Sequence, residues 1–72
     1  AMLEVAEIHE GDSVLDLGCG NGAVGCLAGL KAGEKGSVTF IDSSLRAMAL
    51  AEMNAKATNT PNPVFVAATR LE

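Results

Sequence analysis

Four glycines, Gly18, Gly20, Gly22 and Gly25, fall within eight residues directly behind an apolar run. A carboxylate, Asp16, stands two positions before the first of them. A strand that runs into closely spaced glycines and then into a helix lets the backbone approach a ligand, because glycine has no Cβ to obstruct it. The helix N-terminus beyond adds N–H groups and a partial positive charge, worth about 0.3–1 kcal/mol with an anion. A second carboxylate, Asp42, also closes an apolar run, 26 residues after Asp16.

Two ligand chemistries fit glycines in this arrangement. Gly20-Asn21-Gly22-Ala23-Val24-Gly25 matches G-x-G-x-x-G, and Asp42 follows Gly25 by 17 residues, close to the spacing of a ribose-binding acid in a dinucleotide fold. Asp16 separates the alternatives. Beside a pyrophosphate its carboxylate is repelled, and desolvation adds to the cost. Beside an ammonium the same carboxylate is attractive. S-adenosylmethionine presents an ammonium at its methionyl end and carries no phosphate. Taking Gly20 as the first dinucleotide glycine also leaves Gly18 unexplained.

The elements that must position these groups alternate. Met2, Leu3, Val5, Ala6 and Ile8 suit a short amphipathic helix ended by Gly11. Ser13–Leu17 reads as a buried strand in which Asp16 is the polar exception. Residues 23–32 read as a helix, with Val24, Leu27, Ala28 and Leu30 on its apolar side and Gly33 as its stop. Val38–Ile41 is a second strand ending at Asp42, and Ser43 or Ser44 caps the next helix. Leu45, Met48, Ala49, Met53 and Ala57 mark that helix's apolar side over about thirteen residues. Thr58–Pro63 breaks the chain with two prolines and two asparagines, and a third strand runs from Val64 to Ala67 or Ala68. Strands alternating with helices imply parallel pairing through right-handed crossovers. The expected fold is α/β: a partial doubly wound, Rossmann-like parallel sheet of about three strands with flanking helices. Val14–Leu17 is expected at the centre of a three-layer unit, with the third strand beyond the second.

Asp16-Leu17-Gly18-Cys19-Gly20-Asn21-Gly22 resembles the D/E-x-G-x-G-x-G first motif of class I S-adenosylmethionine-dependent methyltransferases, and Val38–Asp42 resembles their second motif, a strand ending in an acid. The resemblance runs from about Gly11 to Leu71. It implies S-adenosyl-L-methionine as cofactor, with Asp16 beside the methionyl amine, directly or through water. Gly18, Gly20 and Gly22, with Cys19 and Asn21 between them, would line the methionyl and ribose contacts. Asp42 would accept the ribose hydroxyls, and Ser43 and Ser44 would border the adenine. Many members carry Asp or Asn near the adenine amino group after the third strand; here Ala67-Ala68-Thr69 stands there, and Thr69 is the nearest polar candidate. Leu17–Gly22 with Ile41–Ser44 is similar to the rRNA guanine-N2 methyltransferases, and to other methylases of ring or amide nitrogens. No catalytic base is indicated, and motifs that shape an acceptor pocket come later in the family's chain. The piece is therefore expected to be inactive alone.

Length and charge narrow the reading further. At 72 residues the chain is one small domain, expected to be part of a longer enzyme. A net charge of −4 with scattered cations makes this segment a poor nucleic-acid contact surface, so an RNA acceptor would be held mainly elsewhere. No stretch reaches the roughly 18 apolar residues of a membrane span, and Glu4, Glu7 and Glu10 interrupt any signal-peptide pattern. Cys19 and Cys26 have no partner set for a metal site and read as reduced thiols of a cytoplasmic protein. An exposed third strand suggests self-association through the sheet edge, the basis of a non-catalytic alternative.

Several residues also have purely structural readings. Asp16 is able to bond turn amides, and Asp42 is able to cap the following helix. His9 reads as a surface residue, Cys19 as a small neutral filler, and Met48 and Met53 as core. Asn62-Pro63-Val64-Phe65 superficially matches an N-P-P-F/Y amino-methylase motif, but its Asn-Pro precedes a strand and the second proline is missing, so the Asn-Pro reads as a loop.

Overall fold

Strand formation here follows from short runs of branched apolar residues, and parallel pairing follows from the helices between them. The computed structural model describes residues 7–68. Met2, Leu3, Val5 and Ala6 of the expected first helix, and Thr69, lie outside the described residues. Within them the order is β1 (Ser13–Leu17), α1 (Ala23–Ala32), β2 (Ser37–Asp42), α2 (Leu45–Ala57) and β3 (Pro63–Ala67). All pairing is parallel, and the sheet order is β1-β2-β3.

The register sets Asp16 beside Phe40 and Phe40 beside Phe65, so Asp16, Phe40 and Asp42 share one face. Both helices cover that face. Val38 and Phe40 are fully buried there with Cys26, Ala28 and Ala32 of α1 and Met48, Ala51 and Ala55 of α2. Phe40 stacks on Phe65, ring centroids 5.2 Å apart and planes within 10°. An offset stack of this kind adds about 0.5–1.5 kcal/mol beyond area burial.

Two expectations are corrected. β2, not Val14–Leu17, is the central strand of the described sheet, because both right-handed crossovers step in the same direction. For the same reason both helices lie on one face, so the described residues form two layers and not three. Leu15, Leu17, Val64 and Val66 project from the other face and remain exposed.

The helix faces also differ from the hydrophobic pattern. α1 buries Gly25, Cys26, Ala28, Gly29 and Ala32 and leaves Val24, Leu27 and Leu30 largely exposed. α2 buries Met48, Ala51 and Ala55, while Leu45 is 76% and Met53 66% exposed. The reason is distance. A Cβ on Gly29 would lie 2.5 Å from Thr60 Cγ2 and 2.8 Å from Val38 Cγ1, so only the smallest residues let α1 approach the sheet. The bulkier side chains are turned outward.

Capping explains where the helices start and stop. Ser44 Oγ accepts the Ala47 N–H at 3.1 Å, which makes Ser44 the cap of α2. Asn59 and Asn62 take left-handed backbone conformations in the turn before β3. Asn62 Nδ2 donates to the Glu34 and Gly36 carbonyls, both at 2.8 Å, which places Asn62 in the loop, while Pro63 is the first residue of β3.

Replacing glycine by alanine inside a helix ordinarily stabilises by about 0.5–1 kcal/mol. At Gly29 the sign is expected to reverse: Gly29→Ala should cost about 1–3 kcal/mol through overpacking, read as a lower melting midpoint. A stabilised variant would refute the close-approach account.

Candidate cofactor-binding site

The site is built at the carboxyl ends of β1 and β2, where the chain leaves each strand for a helix. After Leu17 the backbone turns over β2: the Gly18 and Cys19 N–H groups both donate to the Ile41 carbonyl, at 2.7 and 3.2 Å. Gly20 adopts φ 56° and Gly22 φ 79°, conformations that residues with a Cβ rarely take. A side chain at Gly18 or Gly20 would meet nothing within 4 Å, so these positions face open space, whereas one at Gly22 would lie 2.8 Å from Ala51 Cβ.

The loop closes with its own polar groups. Gly22 N–H donates to the Cys19 carbonyl at 2.9 Å, Ala23 N–H to Asn21 Oδ1 at 3.0 Å, and Gly20 N–H to Asp42 Oδ2 at 3.0 Å. Asn54 Nδ2 on α2 donates to the Asn21 carbonyl at 2.7 Å. The N–H groups of Gly18, Cys19, Gly20, Gly22 and Ala23 are thus all engaged within the protein. A pyrophosphate at this helix N-terminus would have to break several of these bonds.

The two carboxylates have opposite environments. Asp42 accepts the Ser44 N–H at 2.9 Å through Oδ1 and the Gly20 N–H through Oδ2. The Ser44 and then the Gly20 N–H hold its carboxyl below the usual aspartate range, against a small opposing effect of burial. Asp16 is half-buried under the first turn of α1. Burial pushes its carboxyl above the usual range; the Gly25 N–H offsets part of this, and the Asp42 charge adds to it. Asp16 Oδ2 is completely buried and has no hydrogen-bond partner.

The structure gathers Asp16, Gly18, Cys19, Gly20, Asn21, Gly22, Asp42, Ser43 and Ser44 at one end of the sheet. Thr69 falls outside the described residues. Cys19 Sγ lies 3.9 Å from Met48 Sδ. Burial pushes its thiol up, and Asp16 and Asp42 push it further, consistent with an inert filler. Both cysteines are free.

Sequence reasoning did not find the role of Gly25. A Cβ there would fall on Phe40 Cε1 and 2.5 Å from Asp16 Oδ2, so glycine is what lets the carboxylate and the ring sit together. Its place in the sequence matches only the last glycine of the G-x-G-x-x-G spacing, which carries no hint of this packing role.

Several known proteins resemble the chain over most of its length. The chain is 47% identical over 53 residues to ribosomal RNA large subunit methyltransferase G of Aeromonas salmonicida, covering 74% of this chain and 14% of that protein. A Clostridium thermocellum protein assigned as an rRNA methylase superposes with a TM-score of 0.83 at 26% identity, over 89% of this chain and 35% of that one. Coclaurine N-methyltransferase, solved with N-methylheliamine and S-adenosylhomocysteine, gives 0.76 at 33% identity, over 88% of this chain and 18% of its own. The chain therefore spans a small part of the relatives that it matches. The profile of the methyltransferase small domain matches residues 1–70, and the chain belongs to that family.

Proposed function

We propose that this chain is the S-adenosylmethionine-binding part of a methyltransferase that acts on an RNA nitrogen. The observation that carries the reading is Asp16 Oδ2, a buried carboxylate oxygen without a partner beside an open glycine loop. Burial disfavours the Asp16 carboxylate as an anion, and a ligand ammonium beside it is the group that would restore the charged form. The engaged loop amides weigh against a dinucleotide. Asp16 would hold the methionyl amine; Gly18, Cys19, Gly20, Asn21 and Gly22 would line the methionyl and ribose groups. Asp42 keeps lone pairs beyond its two N–H bonds, and these would accept ribose hydroxyls. Ser43, Ser44 and Thr69 would border the adenine.

When bound, the cofactor supplies a sulfonium methyl group for in-line displacement by an acceptor nucleophile. This segment's residues hold the donor and leave its glycine side open, which is the positioning half of the reaction. The rRNA methyltransferases among the similar proteins support an RNA acceptor in the cytoplasm. Coclaurine N-methyltransferase, which binds N-methylheliamine and S-adenosylhomocysteine, supports a nitrogen as the methyl acceptor. The net charge of −4 supports RNA contacts outside this segment.

Calorimetric titration is expected to give saturable binding of S-adenosylhomocysteine and none of NAD. Asp42→Ala should weaken that binding about tenfold to a hundredfold, the range of one charged hydrogen bond. NAD binding alone would overturn the assignment.

Asp16 generates a second expectation, of opposite sign for stability and affinity. Its folded pKa lies above the unfolded value. The stability it contributes is therefore complete below the unfolded value and lost as pH rises through the folded one. Asp16→Asn, which keeps the shape without the charge, should raise the melting midpoint at pH 7 and weaken S-adenosylhomocysteine binding. The thermal gain should fade as the pH falls into the usual carboxylate range. A variant less stable than the parent at pH 7 would contradict the desolvation account.

A further inference from the structure

The peptide between Asn21 and Gly22 is held at both ends. Its N–H donates to the Cys19 carbonyl at 2.9 Å, and its carbonyl accepts Asn54 Nδ2 at 2.7 Å across 33 residues. One turn earlier on α2, Ala51 stands where a Gly22 side chain would go, at 2.8 Å. Gly22 itself does not fix this peptide's orientation. Glycine populates either sign of φ with similar ease, so a coupled rotation about Asn21 ψ and Gly22 φ meets little intrinsic resistance. Such a rotation would open the Cys19–Gly22 turn and carry the Ala23 end of the loop with it.

Asn54 sits in the interior of a thirteen-residue helix. Asparagine is a poor choice there by local propensity. Its carboxamide nitrogen is directed at the loop and not at its own helix. A residue that breaks a local rule and bonds a distant loop points to a role in that loop.

We propose that Asn54 is a positioning residue for the cofactor loop: its carboxamide fixes the Asn21–Gly22 peptide and thereby the turn that presents Gly18–Gly22 to the ligand. This rests on the cofactor reading of the loop given above. Asn54 touches no reacting group in this account. It acts through Asn21.

The test compares the parent chain with Asn54→Ala, with Asn54→Asp (same shape, no donor) and with Asn62→Ala. Asn62 is a second carboxamide clamp, on the Glu34 and Gly36 carbonyls and away from the loop. Calorimetry with S-adenosylhomocysteine gives affinity, and amide hydrogen exchange at Gly22 and Ala23 reports the loop. Both Asn54 variants are expected to bind about five- to tenfold more weakly, as one lost hydrogen bond implies, and to exchange faster at Gly22 and Ala23. Asn62→Ala should lower the melting midpoint and leave both readouts unchanged. If the Asn54 variants lose only thermal stability, with loop exchange unaltered, the role is structural and the proposal fails. If the parent chain does not bind S-adenosylhomocysteine, the cofactor reading fails instead, and exchange at Gly22 alone decides for or against the Asn54 clamp.

Discussion

The missing side chain of Gly25 is the constraint on which this small fold depends. At that point three things compete for one volume: the first turn of α1, the ring of Phe40 and the carboxylate of Asp16. Phe40 is fully buried and stacks on Phe65, so it ties all of β2 and β3 to the helix layer. Asp16 ends up under the same helix turn because nothing occupies the space in front of it. A methyl group at this position would displace the ring, the carboxylate or the helix, and the glycine loop leads directly into that helix. Interiors packed to crystal-like density transmit such displacements and do not absorb them.

From that junction the two carboxylates diverge. Asp42 accepts one backbone N–H on each oxygen and is stabilised as an anion, and its bond to Gly20 ties the end of β2 to the loop that follows β1. Asp16 has one oxygen, Oδ2, without a hydrogen-bond partner, and burial disfavours it as an anion. One acid serves the architecture of the site while remaining open to further hydrogen bonds. The other is a local cost to the fold, the kind of conflict that natural proteins concentrate where they bind ligands.

Much of this was legible in the residues themselves. The alternation of strands and helices, the bounds of α1 and α2, the cap at Ser44 and the convergence of Asp16 with the glycines and Asp42 all follow from local pattern, and local pattern is what periodicity and capping report. The faces of the helices were not legible. Hydrophobic periodicity assumes that the largest apolar residues point inward, whereas α1 turns Gly25, Gly29 and Ala32 to the sheet and Leu27 and Leu30 away from it. Only the separation of helix and sheet decides that, and separation is a tertiary quantity. The central strand is not legible for a related reason: strand order depends on the direction of each crossover, and the two crossovers present here both step one way. Asn54 gave no sign in the sequence beyond being an asparagine inside a helix.

The outward leucines also bear on how this chain responds to temperature. Leu15, Leu17, Leu27, Leu30, Leu45 and Met53 are each between 45% and 76% exposed in the folded state, so their hydration changes comparatively little on unfolding. The heat-capacity increment of unfolding comes largely from newly wetted apolar surface and is ordinarily about 12–15 cal/mol/K per residue. Here it should fall below that range. A small increment flattens the stability curve. The unit would then show a broad, shallow melt and weak dependence of stability on temperature near ambient, with modest stability held over a wide interval and no sharp optimum.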